Sequence, residues 1–189
     1  MGRIEALTGT RPAKGGSHPG FGTHNALLGL GQGTYLELVA PDPEQPRPAR
    51  GLWTDAAPVG GGLMTWVWRS RDIAGLASTA HAAGAAIGET IDGERRQPDG
   101  TTLKWQLTNP MAMPFGGAVP FLIDWGDSPH PATSAPKAGT LTGFVIEHPE
   151  SDKLAAIFAS MGDDVEITKA PEFRIEARIE CAGRTVTLR

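Results

Sequence analysis

Residues Gly15 to Pro43 read GGSHPGFGTHNALLGLGQGTYLELVAPDP, and they carry more structural information than any other part of the chain. Two short apolar runs flank the turn Gly31-Gln32-Gly33, a pattern typical of a β-hairpin. The predicted strands are Thr23–Leu30 and Thr34–Ala40. Side chains that can ligate a metal or move a proton lie on or beside them, namely His18, His24, Asn25 and Glu37. The stretch therefore predicts a cup-like site on a sheet, without naming a reaction.

The length of this turn determines which polar side chain shares a face with Glu37, because side chains alternate along a strand. A three-residue loop would pair Leu27 with Glu37 and place Asn25 on the face of that carboxylate. A two-residue loop would place His24 there instead. The glycine placement favours the three-residue loop, and both registers remain open on the sequence alone.

The composition is that of a globular protein of 189 residues, with 40% apolar and 20% charged residues. The 25 glycines and 16 prolines indicate many turns and hence many short strands. A net charge of −4 without a basic stripe argues against a nucleic-acid partner. A single cysteine, Cys181, excludes an intramolecular disulfide and indicates a reducing compartment. No apolar run reaches the roughly 18 residues of a membrane span, and Met1 to Glu5 do not resemble a signal peptide, so we expect a cytoplasmic protein.

The remainder of the chain repeats one order of elements, a strand, a helix and three strands. The first copy is predicted as strand Leu63–Arg71, a helix capped by Asp72 and ended by Gly84, and strands Ala86–Ile91, Thr101–Thr108 and Val119–Trp125. The second copy is predicted as strand Thr140–Glu147, a helix capped by Ser151 or Asp152 and ended by Gly162, and strands Val165–Thr168, Phe173–Cys181 and Thr185–Leu188.

These patterns predict an α+β fold of βαβββ modules. We expect three parts within one domain region, at 1–60, 61–135 and 136–189. The first part would supply only the closing strands of its module and would lack the opening strand and helix, apart from a helix stub at Ile4–Leu7. An uncovered sheet edge at that place would favour a homodimer.

Several segments together resemble the glyoxalase-like domain proteins of the vicinal-oxygen-chelate superfamily. They are GGSHPGFGTHNALLGLG, YLELVAPDP, PDGTTLKWQL, VPFLIDWGDSPHP and LTGFVIEHPESDKLAAIFASMG. The resemblance extends over most of the chain, from about Gly9 to Leu188. It implies paired βαβββ modules with curved mixed sheets that form a cup, in which side chains of the first and last strands hold a divalent metal. It also implies a substrate with adjacent oxygen atoms and isomerase, lyase or dioxygenase chemistry, although some members only bind and sequester a small molecule.

Carried over to this sequence, the resemblance places Glu37 and Asp124 where the acids of the closing strands fall. Thr65 and Trp66 stand where the opening strand of the second module would carry a ligand, so part of the usual set is missing. The implied metal ligands are His24, Glu37 and Asp124, and Glu37 would also act as the catalytic base.

Candidate ligand-binding residues complete the predicted site, and each also has an ordinary structural role. Strand tryptophans can stack a ligand but more often form core, and Asp124 can instead cap the turn at Gly126. The predicted ligand-binding set is His18, Asn25, Trp66, Trp105, Asp124 and Trp125. Three hypotheses follow, namely a metal-assisted enzyme acting on a small molecule, a binding module without catalysis, and a truncated homologue that dimerises.

Overall fold

The computed structural model describes residues 1–49, 51–57, 60–96 and 102–189. These residues form three α-helices and eleven β-strands in three sheets. The helices are α1 (Gly2–Thr8), α2 (Ile73–Ala82) and α3 (Ser151–Met161). The strands are β1 (Ala13–His18), β2 (Thr23–Gly29), β3 (Tyr35–Pro41), β4 (Val67–Arg69), β5 (Thr90–Arg96), β6 (Thr102–Thr108), β7 (Phe121–Asp124), β8 (Thr140–His148), β9 (Glu166–Lys169), β10 (Arg174–Cys181) and β11 (Arg184–Leu188).

The first sheet is an antiparallel meander of β1, β2 and β3, preceded by helix α1. The predicted stub at Ile4–Leu7 is thus part of a seven-residue helix, longer than predicted, that ends at Gly9. Ile4 and Leu7 of α1 pack against the buried cluster of the third sheet, and Arg184 Nη2 donates to the Leu7 carbonyl at 2.6 Å. A helix this short is stabilised mainly by such distant contacts, which local periodicity does not reveal.

The second sheet has the order β4-β7-β6-β5, with β4 parallel to β7. Helix α2 follows β4, and Asp72 caps it as predicted, since its Oδ1 accepts from the Gly75 N–H at 2.8 Å. Strand β4 is shorter than predicted because Thr65 and Trp66 precede the ladder. Their side chains donate instead to the backbone carbonyls of residues 117 and 118. Strand β5 also begins later than predicted, at Thr90.

The third sheet has the order β11-β10-β8-β9, with β8 parallel to β9. Its elements follow one another as strand, helix and three strands, like those of the second sheet, but its strand order differs. The two parts are therefore not topological copies. In β10 the buried residues alternate with the charged ones, as the sequence predicts. Helix α3 has Glu150 at its N-cap, so the prediction of Ser151 or Asp152 as the cap is wrong.

Helices α2 and α3 pack against each other and join the second and third sheets in one core. Leu122 of β7, Ile146 of β8 and Phe158 of α3 are essentially without solvent contact in this core. A second, smaller cluster lies between β10, β11 and α1. In the described residues, no helix is both long enough and apolar enough to cross a bilayer.

Candidate functional site

The β2–β3 hairpin sets the register of the candidate site. Gly31, Gln32 and Gly33 all have positive φ angles (74°, 46° and 76°) and form the three-residue loop that the glycine placement favours. Leu27 consequently pairs with Glu37. Of the two registers that the sequence left open, the structure has the one that places Asn25 on the face of Glu37.

Asn25 joins His18 and Glu37 into one hydrogen-bonded group, the Asn25 cluster. The Gly16 N–H donates to Asn25 Oδ1 at 2.8 Å, and this fixes the orientation of the amide. Asn25 Nδ2 then faces Glu37 Oε1 at 2.7 Å and His18 Nε2 at 3.1 Å. Since the NH₂ group carries two protons and no lone pair for accepting, it donates to both partners.

The hydrogen bonds of His18 define its tautomer. Because Nε2 accepts from Asn25, the ring proton lies on Nδ1 and is donated to the Oγ1 of the fully buried Thr23 at 2.8 Å. Burial lowers the pKa of His18, and the neighbouring Glu37 carboxylate opposes that shift. His18 is therefore neutral at pH 7, and its 3.6 Å separation from Glu37 is not an ion pair there.

Gly15 and Gly16 leave room for the side chains above them. A Cβ at Gly15 would lie 1.9 Å from Asn25 Oδ1, and a Cβ at Gly16 would lie 2.3 Å from Arg95 Cδ. Arg95 belongs to β5 of the second sheet, so this contact brings a guanidinium across to the Asn25 cluster. The two adjacent glycines are needed for this close approach.

Tyr35 lies on the same face of β3 as Glu37, two residues earlier in the strand. Burial raises the pKa of its phenol strongly, the negative charge of Glu37 raises it further, and Arg95 partly offsets both. The phenol therefore keeps its proton and is a hydrogen-bond donor. Its ring meets the imidazole of His130 edge-on, at 5.4 Å between ring centroids.

Asp42 fixes the loop after β3 to strand β1. Its Oδ2 accepts from Ser17 Oγ at 2.6 Å and from Gln45 Nε2 at 2.8 Å, and its Oδ1 accepts from the Glu44 N–H at 3.0 Å. These hydrogen bonds lower the pKa of Asp42 to about 2, and the hydrogen bond from Ser17 makes the largest contribution. Asp42 thus holds in place the end of β1 that carries His18.

The side chains around Glu37 do not fit the divalent metal that the fold family implies. The NH₂ group of Asn25 already donates to both His18 Nε2 and Glu37 Oε1, so a cation bridging these two atoms would have to displace the amide. Among residues 1–49, 51–57, 60–96 and 102–189, no three His, Cys, Asp or Glu side chains are grouped as a metal site.

The structure does not bring the other two predicted ligands to Glu37. His24 lies on the opposite face of β2 and is exposed. Asp124 belongs to β7 of the second sheet, where its Oδ1 accepts from the Gly126 N–H at 2.8 Å and lies 3.4 Å from Arg71 Nη1. Asp124 thus has the turn-capping contact that was its alternative structural role.

The three predicted tryptophans have different environments. Trp66 donates from Nε1 to the Ala118 carbonyl at 2.8 Å and packs on Phe158, so it belongs to the core. Trp105 and Trp125 pack on each other at 5.1 Å between centroids. Trp125 also meets His130 edge-on at 6.0 Å, and its buried Nε1 has no hydrogen-bond acceptor among the described residues.

Sequence reasoning missed Tyr35, Arg95 and His130. The two-residue period of β3 could have identified Tyr35, because it shares a face with Glu37. No local signal identifies Arg95, which reaches the Asn25 cluster from another sheet. His130 lies next to Tyr35 only through the folding of the loop after β7.

Comparisons with known proteins agree with this architecture. The chain is similar to a crystal structure of a hypothetical protein from Staphylococcus aureus, with a TM-score of 0.66 and 15% identity, over 94% of this chain and 89% of that chain. At that identity the likeness shows the fold alone. The sequence matches none of the curated proteins with which it was compared. A family model described as Glyoxalase-like domain matches residues 1–162, and the chain therefore belongs to this family of the vicinal-oxygen-chelate superfamily.

Proposed function

We propose that this protein is a lyase- or isomerase-type enzyme in which Glu37 accepts a proton from a small molecule that carries adjacent oxygen atoms. The observation that carries the proposal is the contact between Asn25 Nδ2 and Glu37 Oε1 at 2.7 Å. The Asn25 amide thereby fixes one carboxylate oxygen of Glu37. The other oxygen, Glu37 Oε2, has no hydrogen-bond partner within the described part of the chain. The Glu37 side chain is 31% exposed, so a ligand can approach the free oxygen.

The proposed step is the removal of a proton from a carbon next to a carbonyl group. The C–H proton passes to Glu37 Oε2, and the electron pair of the broken bond moves into the carbonyl to give an enolate. Tyr35 keeps its proton and is placed on the same face, so its phenol donates a hydrogen bond to the enolate oxygen. In a substrate with a hydroxyl group on the deprotonated carbon, the proton returns from Glu37 to the former carbonyl carbon while the hydroxyl proton passes to the enolate oxygen, which gives an isomerase. Where a leaving group stands on the next carbon, the carbonyl re-forms, that group departs with its bonding electron pair and takes up the proton from Glu37, which gives a lyase.

A non-catalytic binding module is the second candidate, and one observation favours it. The amide of Asn25 and both ring nitrogens of His18 already have partners inside the protein. A cluster whose hydrogen bonds are complete without a ligand can serve only to form a rigid surface against which a ligand binds. Under this alternative, Glu37 would contact a ligand without moving its proton.

Exchange of carbon-bound hydrogen for solvent deuterium separates the two candidates. Hydroxyacetone and pyruvate are suitable probes, since each carries adjacent oxygens and an acidic C–H. NMR in D₂O should show protein-dependent exchange, and Glu37→Gln should slow it about 100-fold or more. Glu172→Gln is the matched control because Glu172 is exposed in the loop before β10. Exchange that continues unchanged in Glu37→Gln removes Glu37 as the base, and binding without exchange favours the binding module.

The homodimer remains a separate proposal. Strand β3 pairs with β2 and, within the described residues, with no strand on its outer side. Backbone groups on such an edge can pair with a second copy of the chain. Size-exclusion chromatography with light scattering at micromolar concentration tests this, and a monomer mass contradicts it.

A further inference from the structure

A cleft of about 360 Å³ lies beside the ends of β4 and β7, outside the Asn25 cluster. These two strands are parallel, so their carboxyl ends and the loops that follow meet at one edge of the second sheet. Arg69, Ser70 and Arg71 line the cleft from one strand end, and Trp125 and His130 line it from the other. The volume suits a small molecule.

Hydrogen-bond donors dominate the lining. Arg69 is exposed and forms no ion pair or hydrogen bond with any residue in the described ranges. Arg71 is 71% exposed and, among the residues that the structure describes, has one ion-pair partner, Asp124 at 3.4 Å, whose Oδ1 also accepts from the Gly126 N–H. Both guanidinium groups therefore retain N–H donors for a ligand.

His130 adds a further donor. Its Nδ1 accepts from the Ala132 N–H at 3.3 Å, so the proton of the neutral ring lies on Nε2. Burial lowers the pKa of His130, and the positive charge of Arg69 lowers it further, which keeps the ring neutral at pH 7. His130 can thus donate a hydrogen bond without adding charge.

The charge and shape of the lining define the ligand class. Arg69 and Arg71 are positive and Asp124 is negative, which leaves one net positive charge in the cleft. That balance matches a carboxylate better than a dianion. The rings of Trp125 and His130 meet at an interplanar angle of 80° and give an aromatic side to the cleft. The buried Trp125 N–H is a further donor, and it has no acceptor in the described ranges.

We propose that this cleft binds the carboxylate of a small planar organic acid, with Arg69 and Arg71 as its cationic anchors and Trp125 and His130 as its aromatic wall. The inference goes beyond the proton transfer assigned to Glu37 and does not depend on it. His130 contacts Tyr35, so an acid held in the cleft would lie next to the face that carries Glu37.

Titration of the ¹⁵N-labelled protein with sodium benzoate at low salt tests this inference by NMR. Benzoate should bind with a Kd of about 1 mM and shift the Trp125 indole N–H signal, identified through Trp125→Phe. Arg69→Met should weaken benzoate binding about tenfold or more. Arg174 is an exposed arginine of the third sheet, and Arg174→Met should leave benzoate binding unchanged. Glu37→Gln should bind benzoate like the wild type, which separates this cleft from the proposed catalytic step.

Three results would overturn the proposal. Neutral benzamide, which has nearly the same shape, should bind about tenfold more weakly, so equal affinity would exclude recognition of charge. Equal affinity of Arg69→Met and the wild type would remove the anchor. Tighter binding of inorganic phosphate than of benzoate would show a phosphate site instead of a site for planar acids.

Discussion

Asn25 and Glu37 meet diagonally across the β2–β3 ladder, with Nδ2 and Oε1 2.7 Å apart although their direct partners are Val39 and Leu27. Diagonal neighbours on one face of an antiparallel pair lie within reach of polar side chains of this length. The contact forms because the Gly16 N–H holds the other end of the Asn25 amide. The Gly16 N–H of β1 thus fixes the orientation in which the Asn25 NH₂ group of β2 donates to Glu37 of β3.

Asn25→Asp should destabilise the fold, because it removes the donor and places a second carboxylate beside Glu37. We expect the free energy of unfolding in urea at pH 7 to fall by about 2 kcal/mol. Asn109→Asp is the matched control, since Asn109 Oδ1 accepts from the Met111 N–H at 3.0 Å and an aspartate keeps that bond. Equal losses in the two variants would contradict the assigned role of the Asn25 amide.

Gly15→Ala tests the close approach of Asn25 to the β1 backbone. The new Cβ would lie 1.9 Å from Asn25 Oδ1, so the amide must move and the cluster must open. We expect a loss of about 1–3 kcal/mol in unfolding free energy. Gly2→Ala, where no atom of the described residues lies within 4 Å of the added Cβ, should have little steric effect.

A double-mutant cycle makes the Gly15 test specific. In an Asn25→Ala background the clashing oxygen is absent, so Gly15→Ala should cost less there than in the wild type. Equal costs in both backgrounds would show that the added methyl group disturbs something other than the Asn25 amide.

The sequence predicts the part of this site that depends on short-range rules. Strand alternation and the Gly31-Gln32-Gly33 loop are local features, and they favour the pairing of Leu27 with Glu37 that the structure has. Helix α2 begins after Asp72 for an equally local reason.

The parts that the sequence did not predict depend on contacts between distant segments. Arg95 reaches the Asn25 cluster from the second sheet, and α1 is held by a β-strand at the other end of the chain. The strand order of the third sheet likewise depends on β8 pairing with both β9 and β10. Hydrophobic period and turn chemistry do not encode such pairings.

Trp66→Phe and Trp125→Phe form a matched pair that separates core from cleft. Trp66→Phe removes the hydrogen bond to the Ala118 carbonyl, whereas the Trp125 N–H has no acceptor among the described residues. Trp66→Phe should therefore lower the unfolding free energy by about 1 kcal/mol more than Trp125→Phe does. In the benzoate titration, by contrast, Trp125→Phe should weaken binding more than Trp66→Phe does. If Trp66→Phe weakens benzoate binding and leaves stability unchanged, Trp66 is a ligand contact as the sequence suggested.

Asp42→Asn should reduce stability in a way that depends on pH. The pKa of Asp42 is lowered to about 2 by donors from Ser17, Gln45 and Glu44, so the folded state favours the carboxylate. A lowered carboxyl pKa contributes stability that is complete above the unfolded-state value of about 4 and is lost as the pH falls through about 2.

The difference in unfolding free energy between the wild type and Asp42→Asn should therefore be largest near pH 6 and shrink steadily towards about pH 2. Asp42→Asn also turns an NH₂ group towards the Ser17 hydroxyl and the Gln45 amide, and this part of the loss does not depend on pH. Other groups titrate in both proteins and cancel in the difference. Asp127→Asn, an exposed loop aspartate, should give a small difference at every pH. A loss in Asp42→Asn that is as large at about pH 2 as near pH 6 would mean that the Asp42 charge does not hold β1 in place.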